Sequence, residues 1–414
     1  MTPHQPIGDP LPGWGELPIQ VSAPPRSGGA RPLSLYIHVP YCRIRCGYCD
    51  FNTYTNLDMG PGASIGDYVH TIRHEAQLGA QAIREAGLPS RPVETIFFGG
   101  GTPTMLTASM LTDILGVVEN EYGIAQGAEI TVEANPDTLN PTDCQQLANG
   151  GVTRLSIGMQ SAVPHVLRTL DRTHTPEHVP LIVDHAKAVG LSTSLDLIYG
   201  ASGESIDDWR TTVRTAIDLN PDHISAYSLI IEQGTKMAAQ VARGELPKPD
   251  EDDQATKYEI ADALLSEAGY HWYEISNFAR SGHESQHNLA YWRDWDWWAL
   301  GPGAHWHLGD VRGWNTKHPI AWAGQVGQGH LPVAGHEIIT PDSRHLEYVM
   351  LAIRTREGLD ASLIDEAVRH KVVPTLIADE LIDPFQAFAG RIVLTLRGRL
   401  LADYVTGQLL EFSA

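Results

Sequence analysis

Residues 41–51 read Y-C-R-I-R-C-G-Y-C-D-F, which places Cys42, Cys46 and Cys49, three of the chain's four cysteines, within eight positions. The stretch follows "LYIHV" (35–39), an apolar, aromatic and β-branched run that suits a short buried strand. A ligand-rich loop at the end of a first strand is where α/β proteins commonly build a site, so the pattern downstream decides the fold.

That pattern is an alternation. Strand-like runs recur at "TIFFG" (95–99), "ITVEA" (130–134), "RLSIGM" (154–159), "SLDLIYG" (194–200) and "HISAYSLI" (223–230), with helical segments between them. Over 67–86, Val69, Ile72, Ala76, Ala80 and Ile83 form one apolar stripe at helical spacing. Over 205–219, Ser205 and Asp208 make a capping-box start, and Trp209, Val213 and Ile217 continue one face. Six strands alternating with helices predict an α/β fold with a parallel sheet of partial (β/α)6, TIM-like form, its site at the strand C-terminal ends.

Composition bounds the rest. The chain has 414 residues, 42% of them hydrophobic and 19% charged, with a formal net charge of −21. It is long enough for one large and one small domain, and its charge argues against nucleic acid as a partner. Residues 1–33 hold eight prolines and few apolar clusters, which predicts a flexible N-terminal arm. The start has neither a basic n-region nor an apolar h-region, and no run approaches 18 apolar residues. A cytoplasmic protein with reduced thiols is therefore expected, and a peripheral membrane contact stays compatible with that reading. The barrel with its extension is expected over 34–325, and a small, mainly helical C-terminal domain over 330–414. In that domain "RIVLTLRGRLLADYVTGQLL" suggests a strand pair or wing followed by a helix.

The spacing C-x3-C-x2-C supplies three local thiolates and no fourth, whereas a structural zinc site is normally closed by four ligands. His38 could complete a Cys3His site. The sharper reading is a [4Fe–4S] cluster held by Cys42, Cys46 and Cys49, with one iron left open for an external ligand. This is the radical S-adenosylmethionine arrangement, in which the open iron takes the methionine amine and carboxylate. Tyr48 fits a ring near the adenine, and Cys144, in a predicted helix, reads as a buried bystander. In "FFGGGTPT" the glycines Gly99, Gly100 and Gly101 follow the second strand, where a missing Cβ lets backbone approach a ligand; a tight turn is the plainer explanation. The run is not G-x-G-x-x-G, which disfavours a dinucleotide site. Glu133, Gln160 and Asp196 end successive strands and suit ribose hydroxyls or an ammonium, although each alone could be a solvated loop residue.

Taken in order, "YIHVPYCRIRCGYCDF", "FFGGGTPT", "EANPDTL", "RLSIGMQS", "DLIYG" and "IRTREGLD" resemble the family of oxygen-independent coproporphyrinogen III oxidases and their relatives from about residue 34 to the C-terminus. The resemblance implies a [4Fe–4S] cluster, S-adenosylmethionine and a flavodoxin- or ferredoxin-type electron donor. It also implies a C-terminal domain of that family's helical or winged-helix-like type. By motif position it assigns ligand binding to Tyr36, Tyr48, Gly100, Gly101, Thr102, Glu133, Gln160, Arg172 and Asp196. The oxidases carry a further cysteine where this chain has Phe51. "CDF" and "HNLAYW" (287–292) are similar instead to the heme chaperone branch, for which heme and heme-acceptor proteins are the implied partners. Oxidase turnover is not expected there. His287 is the implied heme residue, ligating or positioning it, with His283, His305 and His307 as neighbours that could take the role; a histidine merely buried among aromatics is the alternative. "YWRDWDWW" (291–298) holds four of the ten tryptophans, and its acidic residues are expected to keep part of it at the surface. The oxidase, a radical oxidative decarboxylase, and a zinc-stabilised interaction module remain as competing readings.

Overall fold

The computed structural model describes residues 8–11, 15–18 and 31–411. The arm expected over 1–33 lies mostly outside them. Within it, Asp9 exchanges two backbone hydrogen bonds of 3.0 and 2.9 Å with His336, and Leu17 is buried in the main core.

Six parallel strands lie side by side in chain order: β1 (Leu33–Val39), β2 (Val93–Gly100), β3 (Ile124–Ala134), β4 (Arg154–Gln160), β5 (Ser192–Tyr199) and β6 (His223–Ser228). The helices between them are α1 (Tyr68–Glu85), α2 (Ala108–Glu121), α3 (Pro141–Asn149), α4 (Pro164–Thr169), α5 (His178–Ala188) and α6 (Ile206–Asp218). Period-two alternation sorts the side chains. In β4, Leu155, Ile157 and Met159 join the core under the helices, while Arg154, Ser156, Gly158 and Gln160 fall on the opposite face, the lumen of an incomplete barrel. The α6 start is the expected capping box, with Ser205 and Asp208 each accepting from the other's backbone N–H. The stripe of α1 packs inward at Ile72, Ala76 and Ala80, and with it goes Glu75, a charged residue that the apolar pattern does not announce.

After β6 come α7 (Lys236–Ala242), α8 (Glu251–Glu267), β7 (His271–Glu274) and β8 (Asn277–Ala279), the last pairing antiparallel with β6. The chain then crosses the barrel as α9 (Gln286–Trp292) and returns to the other edge as β9 (Asp296–Leu300), parallel to β1. Antiparallel β10 (His305–Leu308), β11 (Val311–Asn315) and, after α10 (Pro319–Gly327), β12 (Val333–Ile338) complete a 12-stranded sheet. The aromatic segment is thus largely strands and loops, as its lack of helical period suggests, except that "HNLAYW" is helical. Seven residues are too few to show a period, and the Ser285 side chain caps them by accepting from Asn288 N–H.

Asp296 corrects a second expectation. It is 3% exposed, not at the surface, because Arg31 and Arg91 both pair with it. Trp298, 2% exposed, tilts against Trp306 at 5.1 Å in the core.

The C-terminal region comprises α11 (Pro341–Ala352), α12 (Glu366–Ala378), α13 (Pro384–Phe388), α14 (Leu396–Leu400) and α15 (Ala402–Glu411), plus a two-residue ladder of β13 (Leu359–Asp360) with β14 (Arg391–Ile392). Val349, Leu359, Val368, Ile392, Val405 and others form its own core. Buried Arg399 ties it to the barrel: the guanidinium pairs with Asp262 at 2.8 Å, donates to Tyr258 Oη at 3.0 Å and lies 4.5 Å over Trp272.

Candidate functional site

The loop after β1 is fixed at its ends by backbone bonds, Cys42 N–H to Tyr54 C=O at 2.9 Å and Tyr54 N–H to Pro40 C=O at 2.8 Å. Between them Cys42, Cys46 and Cys49 ring a cavity of about 170 Å3. Cys49 N–H donates to Cys46 C=O at 3.2 Å, a turn within the loop. Thr102 Oγ1 donates to Cys42 Sγ at 3.6 Å, and Arg172 donates to Cys46 Sγ at 3.7 Å. Burial pushes the Cys42 thiol up to about 11 and also raises Cys49, so both thiols hold their protons by themselves and metal binding would have to displace them. Among the described residues no three His, Cys, Asp or Glu side chains converge as a single ion requires. His38 is no fourth ligand, since its nitrogens meet Tyr36 Oη at 3.0 Å and Asn52 C=O at 2.9 Å. Three thiols around a cavity suit a cluster, which spreads its ligands over several irons. Cys144 lies elsewhere, fully buried in α3.

The same cavity is lined by Tyr48, Gly100, Gly101, Thr102, Glu133, Gln160, Arg172 and Asp196, which bring together eight of the residues singled out in the sequence. Glu133 Oε2 accepts from Gly100 N–H at 3.2 Å. Burial, with Asp196 nearby, pushes its carboxyl up to about 8. Asp196 is likewise raised by burial, while Ser225 Oγ at 2.8 Å and Ser156 Oγ at 3.0 Å, together with the charge of Arg172, pull the other way. Arg172 donates to Gly158 C=O at 2.8 Å and to Cys46 Sγ, and it stays cationic although burial opposes its charge. Gln160 adopts φ 62°, a left-handed conformation that non-glycine residues hold only when surroundings enforce it.

The glycine run has a reason inside the fold. A Cβ on Gly100 would sit 2.5 Å from the His38 ring, at φ +108°, and one on Gly101 would sit 2.6 Å from Tyr41 C=O. Gly101 and Thr102 N–H donate to Val39 and Tyr41 C=O, both at 2.8 Å, so the turn is clamped against the cluster loop. Gly99 is crowded by Phe97 and Tyr36. Sequence reasoning missed Ser156, Ser225 and Gly158; a Cβ on Gly158 would come within 2.9 Å of both Arg172 and Gln160. The alternation within "RLSIGMQ" was the available signal.

A lumen of about 580 Å3 continues below, sharing Tyr48, Cys49, Phe51, Glu133, Gln160 and Asp196 with the first cavity and adding Tyr36, His223, His287 and Tyr291. Helix α9 closes its N-terminal end. Glu129 accepts from Arg154 at 3.1 Å, from His287 N–H at 3.0 Å and from Ser285 Oγ at 3.3 Å. His287 is 2% exposed and stacks on Phe97 at 5.0 Å; its nitrogens meet Thr95 Oγ1 at 2.8 Å and Tyr291 Oη at 2.9 Å. Burial pushes its imidazole down to about 3, so it is neutral. His307 is engaged by Arg344 at 3.1 Å, and His283 lines neither cavity.

A thiol-ringed cavity at the C-terminal ends of six parallel strands defines a radical S-adenosylmethionine protein, and the family model described as the Radical SAM superfamily matches residues 36–216. Membership of that class implies a [4Fe–4S] cluster and S-adenosylmethionine, and the three thiols with the polar strand ends fit both. The chain is 43% identical to the heme chaperone HemW of Mycobacterium tuberculosis over 97% of each chain, and 31% identical to that of Bacillus subtilis over 91% of this chain and 99% of the other. It belongs to the HemW family. A solved structure of the Escherichia coli coproporphyrinogen III oxidase HemN is similar over 92% of this chain and 90% of its own, with a TM-score of 0.76 at 25% identity. No helix among the described residues is long and apolar enough to cross a membrane.

Proposed function

We propose that this protein is a heme chaperone that keeps a [4Fe–4S] cluster and S-adenosylmethionine beside a heme-holding surface and passes heme to acceptor proteins in the cytoplasm. Cys42, Cys46 and Cys49 hold the cluster. Tyr48, the Gly99–Gly101 turn, Thr102, Glu133, Gln160, Arg172 and Asp196 receive S-adenosylmethionine, the carboxylates facing its cationic groups. Tyr36 and His287 shape the lumen, and His287 enters as a positioning residue because both of its nitrogens are already bonded. Electrons for the cluster come from a flavodoxin- or ferredoxin-type donor.

The observation that carries this reading is the size and lining of the space beside the thiols. S-adenosylmethionine suits the small cavity with its carboxylates at Glu133 and Asp196; the aromatic, mainly apolar lumen of about 580 Å3 suits a porphyrin face. Similarity to the oxidase favours a second reading, radical decarboxylation of coproporphyrinogen III. Against it, Phe51 stands 58% exposed on the cluster loop where the oxidases carry a cysteine. The test is an anaerobic assay with reductant, S-adenosylmethionine and coproporphyrinogen III beside a heme titration. Heme binding without repeated turnover is expected; steady protoporphyrinogen IX formation would instead establish the oxidase.

A further inference from the structure

The lumen has a neighbour. Tyr36, Asp50, Phe51 and Tyr291 also line a second cavity of about 570 Å3, open to solvent, that extends over β9 and β10 to His305 and Lys317. The two cavities therefore adjoin and form one trough beside the cluster loop.

An iron ligand must offer an imidazole nitrogen with a free lone pair at an accessible edge. Four histidines line the trough: His38, His223, His287 and His305. His38 and His287 have both nitrogens bonded, and each is 5% exposed or less. His223 is 3% exposed, with Nε2 against Tyr273 Oη at 2.9 Å and Nδ1 buried without a partner. His305 alone is exposed, at the start of β10, and among the described residues no hydrogen bond engages either of its nitrogens. Its ring leans on Trp314 at 6.0 Å, and burial of its inner side, with Lys317 and Arg312 nearby, favours the neutral form.

The surroundings match the remaining parts of a heme. Trp297 and Tyr291, edge to face at 5.0 Å, with Phe51 provide apolar wall, and Lys317 brings a cation for a propionate. We infer that His305 would ligate the iron of heme bound in this open cavity, with Lys317 toward its carboxylates and His287 bracing Tyr291 in the wall. This rests on the heme-chaperone reading and moves the iron away from the helix of the "HNLAYW" segment to an edge from which an acceptor can take it.

The test is titration of the anaerobically purified full chain with ferric heme, read by the Soret band and by resonance Raman detection of the iron–imidazole bond. His305→Ala should remove that bond's signature and weaken binding at least about tenfold, and free imidazole should restore the signature in the vacated position. His287→Ala and His223→Ala should keep it. Lys317→Ala should weaken binding without changing the signature. An unaltered spectrum in His305→Ala, or loss confined to His287→Ala or His223→Ala, overturns the assignment while leaving the chaperone reading intact. No heme complex in the wild-type protein overturns both.

Discussion

Cys42, Cys46 and Cys49 face one cavity, while Cys144 is sealed in α3, and iron and sulfide content separates these roles. After anaerobic reconstitution, Cys46→Ala should lose most of its iron and Cys144→Ala should retain it; equal loss in both would mean that Cys144 supports the cluster. Glu133 gives a second residue-scale prediction. With its carboxyl pushed up to about 8, it is mostly protonated at pH 7. A bound cation favours the carboxylate, so S-adenosylmethionine binding should release a proton from the reconstituted protein. Calorimetry in phosphate and in Tris should then give different heats for wild type and similar heats for Glu133→Gln. Equal heats in wild type would separate Glu133 from the cation. Of these residues the cysteines were legible because spacing alone restricts thiol chemistry, and Glu133 because it ends a strand. Ser156 and Ser225, which hold Asp196, were not singled out, since a serine on a strand is chemically unremarked until its neighbour strand is known.

At the scale of elements, α1 shows how much a periodic pattern can omit. Glu75 is 1% exposed and accepts from Gly301 N–H at 2.8 Å, Asn315 Nδ2 at 2.7 Å and Trp322 Nε1 at 3.0 Å. One carboxylate thus ties α1 to the end of β9, to β11 and to α10. Glu75→Leu takes the acceptor from the buried Gly301 N–H and Trp322 Nε1 and one of the acceptors of Asn315 Nδ2, which also donates to Gly301 C=O, and should cost on the order of 3 kcal/mol in denaturant unfolding. Burial also raises this carboxyl from 4.5 to about 8 despite those donors. The folded state therefore binds a proton that the unfolded chain has released. The associated stability is complete below about pH 4.5 and is lost as pH rises through about 8. Glu75→Gln should flatten that slope in urea titrations at pH 6 and pH 8.5; an unchanged slope would assign the linkage to another group. The parallel strands were readable because buried strands are nearly continuous apolar runs. Helix α9 was not, because its helical form depends on the Ser285 cap and on Glu129, 158 residues away from His287 in sequence.

For the whole molecule, the C-terminal unit has its own core and is held to the barrel in part by Arg399. Arg399→Leu strands the Asp262 carboxylate and removes the donor to Tyr258 Oη, which keeps its own bond to Ile275 C=O, and should cost on the order of 2–4 kcal/mol. The loss should register as early hydrogen exchange over 341–411 while β1–β6 stay protected; uniform exchange across both regions would show a single cooperative unit. Composition and alternation disclosed the α/β class and a helical end, but the antiparallel strands β9–β12 that widen the sheet depend on partners far apart in the chain, which local pattern does not encode. The plug at the barrel's N-terminal end has a final consequence. With α9 seated on β2 and β3, the lumen is closed at that end and opens on the side of the cluster loop, past Tyr48 and Phe51 and across Tyr36 and Tyr291 into the neighbouring cavity. Whatever enters must leave on that same side. A flat cargo resting across that threshold would detain any smaller molecule inside, so traffic through the site obeys the order of a stack, last in and first out.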